Sequence, residues 1–171
     1  DSSAIFKAFL ADGTLANLLY RLMQWSRKMR LVPLEFLFNK MNGILCSCII
    51  GRGAEFGPEL VLTHSLGIVI NGAVRGGKHI VIEHQVTIGE AQRQNPRLGN
   101  DIYIGAGAKI IGGVTLGDGA RIGANAVVVH DVPAGATAVG VPARVIRRRD
   151  VTADAAARVP AGAEVRKDAE G

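Results

Sequence analysis

The chain has 171 residues, enough for one compact domain with an appendage, and its composition is lopsided: 48% hydrophobic, only 5% aromatic, with 22 glycines. So high an aliphatic content excludes a solvated, disordered chain, and glycines without a three-residue period exclude collagen. The net charge of +5 comes from the ends. Residues 1–47 carry six basic and three acidic groups, residues 48–143 seven of each, and residues 144–171 seven and five. A neutral middle offers no surface for tracking a phosphate backbone, so no nucleic-acid partner is expected. Apolar runs fall short of the roughly 18 residues of a membrane span, and the first residues lack the basic-then-apolar layout of a secretion signal. The expected location is cytoplasmic.

Residues 1–47 hold six of the eight aromatics and form an α-helical N-terminal region. Asp12-Gly13-Thr14 is a start signal, followed by a stripe of Leu15, Leu18, Leu19, Leu22, Ser26 and Met29. Pro33 opens a second helix, with Leu34, Leu37, Phe38, Met41 and Leu45 on one face. These stripes are expected to pack on the next segment or on a second subunit; peripheral membrane contact through Arg21, Arg27, Lys28 and Arg30 is the less favoured reading. Cys46 and Cys48 have no distant partners, so they read as small apolar residues rather than as a disulfide or zinc motif.

From Ile50 the chain keeps a period of six: Phe56, Leu62, Ile68, Val74, Ile80, Val86, Gln92, Leu98, Ile104, Ile110, Leu116, Ile122, Val128. Thirteen of these fourteen positions are Ile, Leu, Val or Phe, and the register holds across Gln92. Neither an amphipathic helix nor an alternating strand has this period. A solenoid does, with one short strand and one corner per hexad, three hexads per coil, and coils stacked as parallel sheet. Small residues at Cys48, Ala54, Ala108, Ala120 and Ala126 permit the corners. The expectation is a prism of about five coils, about 25 Å tall, over residues 48–146. Residues 147–171, beginning with Arg147-Arg148-Arg149, have no period and read as a mobile tail.

Three segments then become recognisable: Thr63-His64-Ser65-Leu66-Gly67-Ile68-Val69-Ile70, Val86-Thr87-Ile88-Gly89 with Ile104–Gly112, and the closing Gly140-Val141-Pro142-Ala143-Arg144. Over about residues 15–146 the chain resembles the serine acetyltransferase family, a branch of the hexapeptide-repeat acyltransferases. The resemblance implies a mainly β fold, a left-handed parallel β-helix preceded by the short helical region, and transfer of acetyl from acetyl-CoA to a hydroxyl. His64 matches the family's catalytic histidine, and an imidazole suits proton removal near neutral pH. Backbone N–H groups around Gly89 are candidates for the oxyanion. Ala106, Gly107 and Ala124 match positions lining the pantetheine arm, a role no better supported than plain corner geometry. Lys109, Arg121 and Arg144 are candidates for the coenzyme's phosphates, with simple solvation as the competing reading. The family's groove lies between adjacent prisms, which implies a homotrimer, with pairing of trimers left open.

The acceptor positions depart from the family pattern. Thr63 stands where the family places an aspartate, and Gln94-Asn95-Pro96 replaces an Arg-His-Pro; Arg93 or Arg97 could restore the cation. Thr63, Arg93 and Asn95 are therefore the candidate acceptor contacts. The acceptor stays open between L-serine and a sugar hydroxyl in surface-polysaccharide synthesis. The chain ends Ala169-Glu170-Gly171 rather than in isoleucine, so no sulfhydrylase complex is expected. Two other classes compete. His79 and His84 have the five-residue spacing of ligands in hexapeptide zinc carbonic anhydrases, but His64 is badly placed as a third ligand, and no metal is expected. A repeat scaffold without catalysis is the last alternative.

Overall fold

The computed structural model describes residues 13–146. Asp12 of the helix start and the tail from Arg147 lie outside the described residues. Within them the order is two helices, α1 (Thr14–Lys28) and α2 (Val32–Cys46), then fifteen short strands.

The strands form three sheets. The first stacks β1 (Ile49–Ile50), β4 (Val69–Ile70), β7 (Thr87–Gly89), β10 (Lys109–Ile111) and β13 (Val127–Val128). The second stacks β2 (Glu55–Phe56), β5 (Arg75–Gly76), β8 (Arg97–Leu98) and β11 (Thr115–Leu116). The third stacks β3 (Val61–Leu62), β6 (Val81–Ile82), β9 (Tyr103–Ile104), β12 (Arg121–Ile122), β14 (Thr137–Val139) and β15 (Arg144–Ile146). Every pairing is parallel except β14 with β15, which closes the top of the third sheet antiparallel. This is the triangular β-solenoid that the period implies. Its interior is a continuous aliphatic column, with Ile50, Ile70, Ile88, Ile110 and Val128 from the first sheet all essentially inaccessible.

The period of six is not one uninterrupted register. Strand pairing puts Leu62 under Ile82 and Ile50 under Ile70, twenty residues apart, whereas Ile88 lies under Ile110 at twenty-two and Leu98 under Leu116 at eighteen. Two residues are inserted in the corner holding His64, and four more in the loop around Gln92. Two and four make one hexad, so the frame is lost after Leu62 and regained at Leu98. In between, Ile68, Val74, Ile80 and Val86 fill the corner positions that Cys48, Ala54, Ala108 and Ala120 fill elsewhere. Both classes point inward, so all are buried and apolar.

The prism accepts one ring in its lower coils because a side chain is missing above it. Phe56 is buried, and its partner across the ladder is Gly76; a Cβ there would meet the Phe56 ring and lie 2.9 Å from Ile80. Tyr20 of α1 meets the same ring edge-on, with centroids 6.2 Å apart. This is one of several contacts through which the helices cover the first coil. Tyr20 donates to the Ala54 carbonyl and accepts from the Phe56 N–H, both at 3.1 Å. Arg21 donates to the Phe56 and Gly57 carbonyls, and Asn39 to that of Ile50 at 2.7 Å. An open solenoid end leaves such groups unpaired, so the helices are held by polar side chains as well as by apolar area.

That requirement changes the buried helical face. The buried residues of α1 are Ala16, Leu19, Tyr20, Met23 and Ser26, while Leu15 and Leu18 of the expected stripe are exposed. On α2, Glu35, Asn42 and Cys46 are buried and Leu34, Leu37 and Leu45 are exposed; only Phe38 and Met41 of that stripe reach the core. The carbonyl-rich edge selects the faces that carry donors. Glu35 is buried against Arg27 at 3.4 Å and Arg52 at 3.6 Å, joining both helices to the first corner.

Candidate active site

Three columns of corners run along the prism, and the side chains treat each one differently. The corner leading from the third sheet into the first stacks Ser47, His64–Gly67, His84–Gln85, Ala106–Gly107 and Ala124–Asn125. Its steps are joined by backbone bonds: Gly67 N–H to Ser47, Gln85 N–H to Leu66 and Gly107 N–H to His84, each at 2.9 Å, and Asn125 N–H to Ala106 at 2.8 Å. Each step is one coil, about 4.8 Å along the axis. His64 therefore stands on the same wall as three of the expected coenzyme positions, Ala106, Gly107 and Ala124.

His64 lies inside the two-residue insertion, with φ of 51°, and its side chain is exposed. The insertion is anchored on both sides. Thr63 donates its N–H to the Ile82 carbonyl at 2.9 Å, and the buried Ser65 hydroxyl donates to the Cys46 carbonyl at 3.4 Å. Gly13, the N-cap of α1, adopts φ of 99° directly beneath, where a Cβ would collide with the Leu62 carbonyl. One coil further on, the His84 ring meets that of His64 edge-to-face, with centroids 6.2 Å apart and planes at 76°. In the sequence His84 stands out only by its spacing from His79, and the coil geometry reveals this neighbour.

The cations expected near the coenzyme flank the column. Lys109 reaches back from the first sheet, and its Nζ donates to the Gln85 carbonyl. Arg121 projects from the third sheet over Tyr103, 5.6 Å from the ring centroid. Arg144 is exposed on β15, beside the turn that ends the column. At Gly107, with φ of 73°, a Cβ would strike the Asn125 side chain, so this step stays bare.

The remaining candidates lie elsewhere in the chain. Gly89 is at the far end of β7, where its carbonyl accepts from Gly112 at 3.0 Å. The first sheet separates it from His64, so one chain does not place the two together. Arg93 and Asn95 lie on the long loop leading into the second sheet, in a polar groove of about 470 Å³ shared with Gln94, Arg97, Gly113 and Thr115. Among the described residues no carboxylate pairs with Arg93 or Arg97, and Asn95 Oδ1 is buried without a partner. These acceptor candidates face away from the same chain's His64 because the two insertions fall on different corners.

The third column, from the second sheet into the third, carries a ladder of side-chain contacts. His79 lies between Glu59, 2.7 Å from Nε2, and Asp101, 2.9 Å from Nδ1. His79 and His84 are thus on different corners despite their metal-like spacing, and no group of three His, Cys, Asp or Glu with metal-binding geometry occurs among the described residues. Cys46 and Cys48 are buried free thiols; burial pushes Cys48 up to about 12 and raises Cys46, which makes both unreactive at neutral pH.

A triangular solenoid built on a six-residue step is the architecture of the hexapeptide-repeat transferases. The family described as bacterial transferase hexapeptide (six repeats) matches residues 95–130. The serine acetyltransferase of Helicobacter pylori strain J99 is 37% identical over 143 residues, 81% of this chain and 84% of the relative. That of Synechococcus elongatus is 34% identical over 146 residues, 83% of this chain and 60% of the relative. A crystal structure of the Neisseria gonorrhoeae serine acetyltransferase superposes with a TM-score of 0.76 at 32% identity, covering 81% of this chain and 54% of that one. The chain belongs to the serine acetyltransferase family. It spans little more than half of the solved Neisseria chain and three-fifths of the cyanobacterial relative.

Proposed function

We propose that the protein is an acyltransferase that moves the acetyl group of acetyl-CoA to the hydroxyl of L-serine, with His64 as general base. The observation that carries this reading is the position of His64: exposed, on a rigid insertion, in line with Ala106, Gly107 and Ala124. An extended thioester lying along that wall would bring its carbonyl to the imidazole. His64 takes the hydroxyl proton as the oxygen attacks the thioester carbon. The C–S bond then breaks, and the imidazolium returns the proton to the coenzyme thiolate. The product ester carries a leaving group suited to later displacement by a sulfur nucleophile.

Serine is favoured over a sugar hydroxyl because the relatives are serine acetyltransferases, one of which, from Neisseria gonorrhoeae, has also been solved in complex with serine. In this chain the amino acid's carboxylate would meet Arg93 or Arg97, with Asn95 and Thr63 as further polar contacts. Because that groove lies on a different corner from His64, the reading needs a neighbouring copy to complete the site, as a homotrimer would. Outward Ile49, Val69 and Leu66 beside the wall are largely exposed in the single chain and suit such packing. The test is thiol release from acetyl-CoA with serine, homoserine and a panel of sugars. Turnover with serine is expected, and turnover with a sugar alone would overturn the acceptor assignment.

A further inference from the structure

We infer that the outer face of the helix pair is a docking surface for an anionic lipid bilayer, an assignment independent of the acetyl-transfer reading. The apolar stripes that the sequence offers for packing on the prism are turned outward instead. α1 buries Ala16, Leu19, Tyr20, Met23 and Ser26, and α2 buries Glu35, Asn42 and Cys46. Away from those faces α1 presents Leu18, Trp25 and Met29, and α2 presents Leu37 and Ile44, with Trp25 51% and Ile44 71% exposed. Large apolar side chains this open, grouped on both helices at one end of the molecule, are more than the singly scattered apolar residues of an ordinary surface.

The charge on these helices says what covers them. Between Thr14 and Cys46 the chain has five basic residues, Arg21, Arg27, Lys28, Arg30 and Lys40, and one acid, Glu35. Glu35 is buried and paired with Arg27 and Arg52, so no exposed carboxylate stands on either helix. Lys28 follows Trp25 by three residues, and Lys40 lies three after Leu37 and four before Ile44, so a cation edges each apolar stripe. An apolar row edged by Lys or Arg, with a tryptophan at the boundary, is what a helix lying in a bilayer interface carries. Among the described residues no helix is long and apolar enough to cross a membrane, and these two would lie along the surface. A second copy suits the face less well. A two-fold contact lays each helix pair against its own image and doubles the cations in one seam, with no exposed carboxylate on the helices to answer them. An anionic bilayer answers each one, with affinity rising about fivefold per Lys or Arg held near it.

Trp25 is the single tryptophan of the chain, so its emission reports directly on this face. The test mixes the full chain with vesicles of phosphatidylcholine alone, or of phosphatidylcholine with about 30% phosphatidylserine. Flotation with the anionic vesicles and a blue shift of Trp25 emission are expected, both reduced in about 0.5 M salt. The double variant Lys28→Glu/Lys40→Glu, and separately Ile44→Ser, should each weaken partitioning about tenfold or more. Both sets of positions are exposed, so the melting temperature should stay within about 2 °C of the wild type. Three outcomes would overturn the assignment. One is a wild type that stays out of the floated fraction with its emission unmoved. Another is flotation undiminished in the charge-reversed variant, which would place the contact on another part of the chain. The third is a blue shift that grows with protein concentration in the absence of vesicles and is lost in Ile44→Ser, which would give the face to a second copy.

Discussion

The column that carries Glu59, His79 and Asp101 and the column that carries His64 and His84 are built on one backbone plan. Glu59, His79 and Asp101 adopt φ between 55° and 59°; His64, Gln85 and Asn125 adopt φ between 51° and 57°. At the first corner the side chains of Glu59, His79 and Asp101 find one another across successive coils. At the second, two rings on successive coils give way to small residues, Nδ1 of His84 has no hydrogen-bond partner, and the step at Ala106–Gly107 carries almost no side chain. Repetition supplies identical frames. Whether the side chains satisfy one another decides which frame is structural and which is available to a substrate.

Breaking each corner separately should give opposite phenotypes. The largest effect is expected for His64→Ala, in which turnover measured by thiol release should drop by about 10²- to 10⁴-fold while the melting temperature is unchanged. Retained turnover would move the chemistry off this corner. Ile104→Ala removes an inward side chain between the two columns and should cost about 3 kcal/mol in denaturant unfolding, affecting activity only through the fraction folded. Alkaline pH should act more mildly. Burial raises the phenol of Tyr20 and the thiol of Cys48, each to about 12, so both neutral forms are favoured in the folded state. Their contribution is complete below their unfolded values, about 10 for the phenol and about 9 for the thiol, and is lost as pH rises towards 12. Melting temperature should therefore decline above about pH 9, and Tyr20→Phe should flatten part of that decline. The smallest effect is expected for His79→Ala: a loss below about 1 kcal/mol, because the ladder is solvent-facing, with kcat unchanged. A large loss of turnover there would show that the ladder is not merely structural.

The prism was legible from the sequence because its interior admits one kind of side chain, and thirteen aliphatic or Phe residues on a six-residue step have no other common reading. What the period concealed was the phase. Ile68, Val74, Ile80 and Val86 keep the step while occupying a different inward position, since corner and strand residues are both buried and apolar. His64 was legible through its flanking motif, whereas its relation to His84 was not, because residues twenty apart meet only once the coil length is known. The helices were placed correctly but turned wrongly. Leu15, Leu18, Leu34 and Leu37 make the clearer apolar stripes, yet the surface to be covered is a row of carbonyl oxygens that Tyr20, Arg21 and Asn39 can bond.

The way the prism ends bears on how it behaves in a crowded solution. A stack of parallel strands with both ends bare would invite further strands from other molecules, the geometry by which fibrils seed. Here the lower end is covered by helices whose side chains occupy its carbonyls, and at the upper end β15 reverses direction against β14. A chain whose repeat could in principle propagate without limit therefore carries its own terminators. Their removal should leave a prism prone to end-to-end polymerisation.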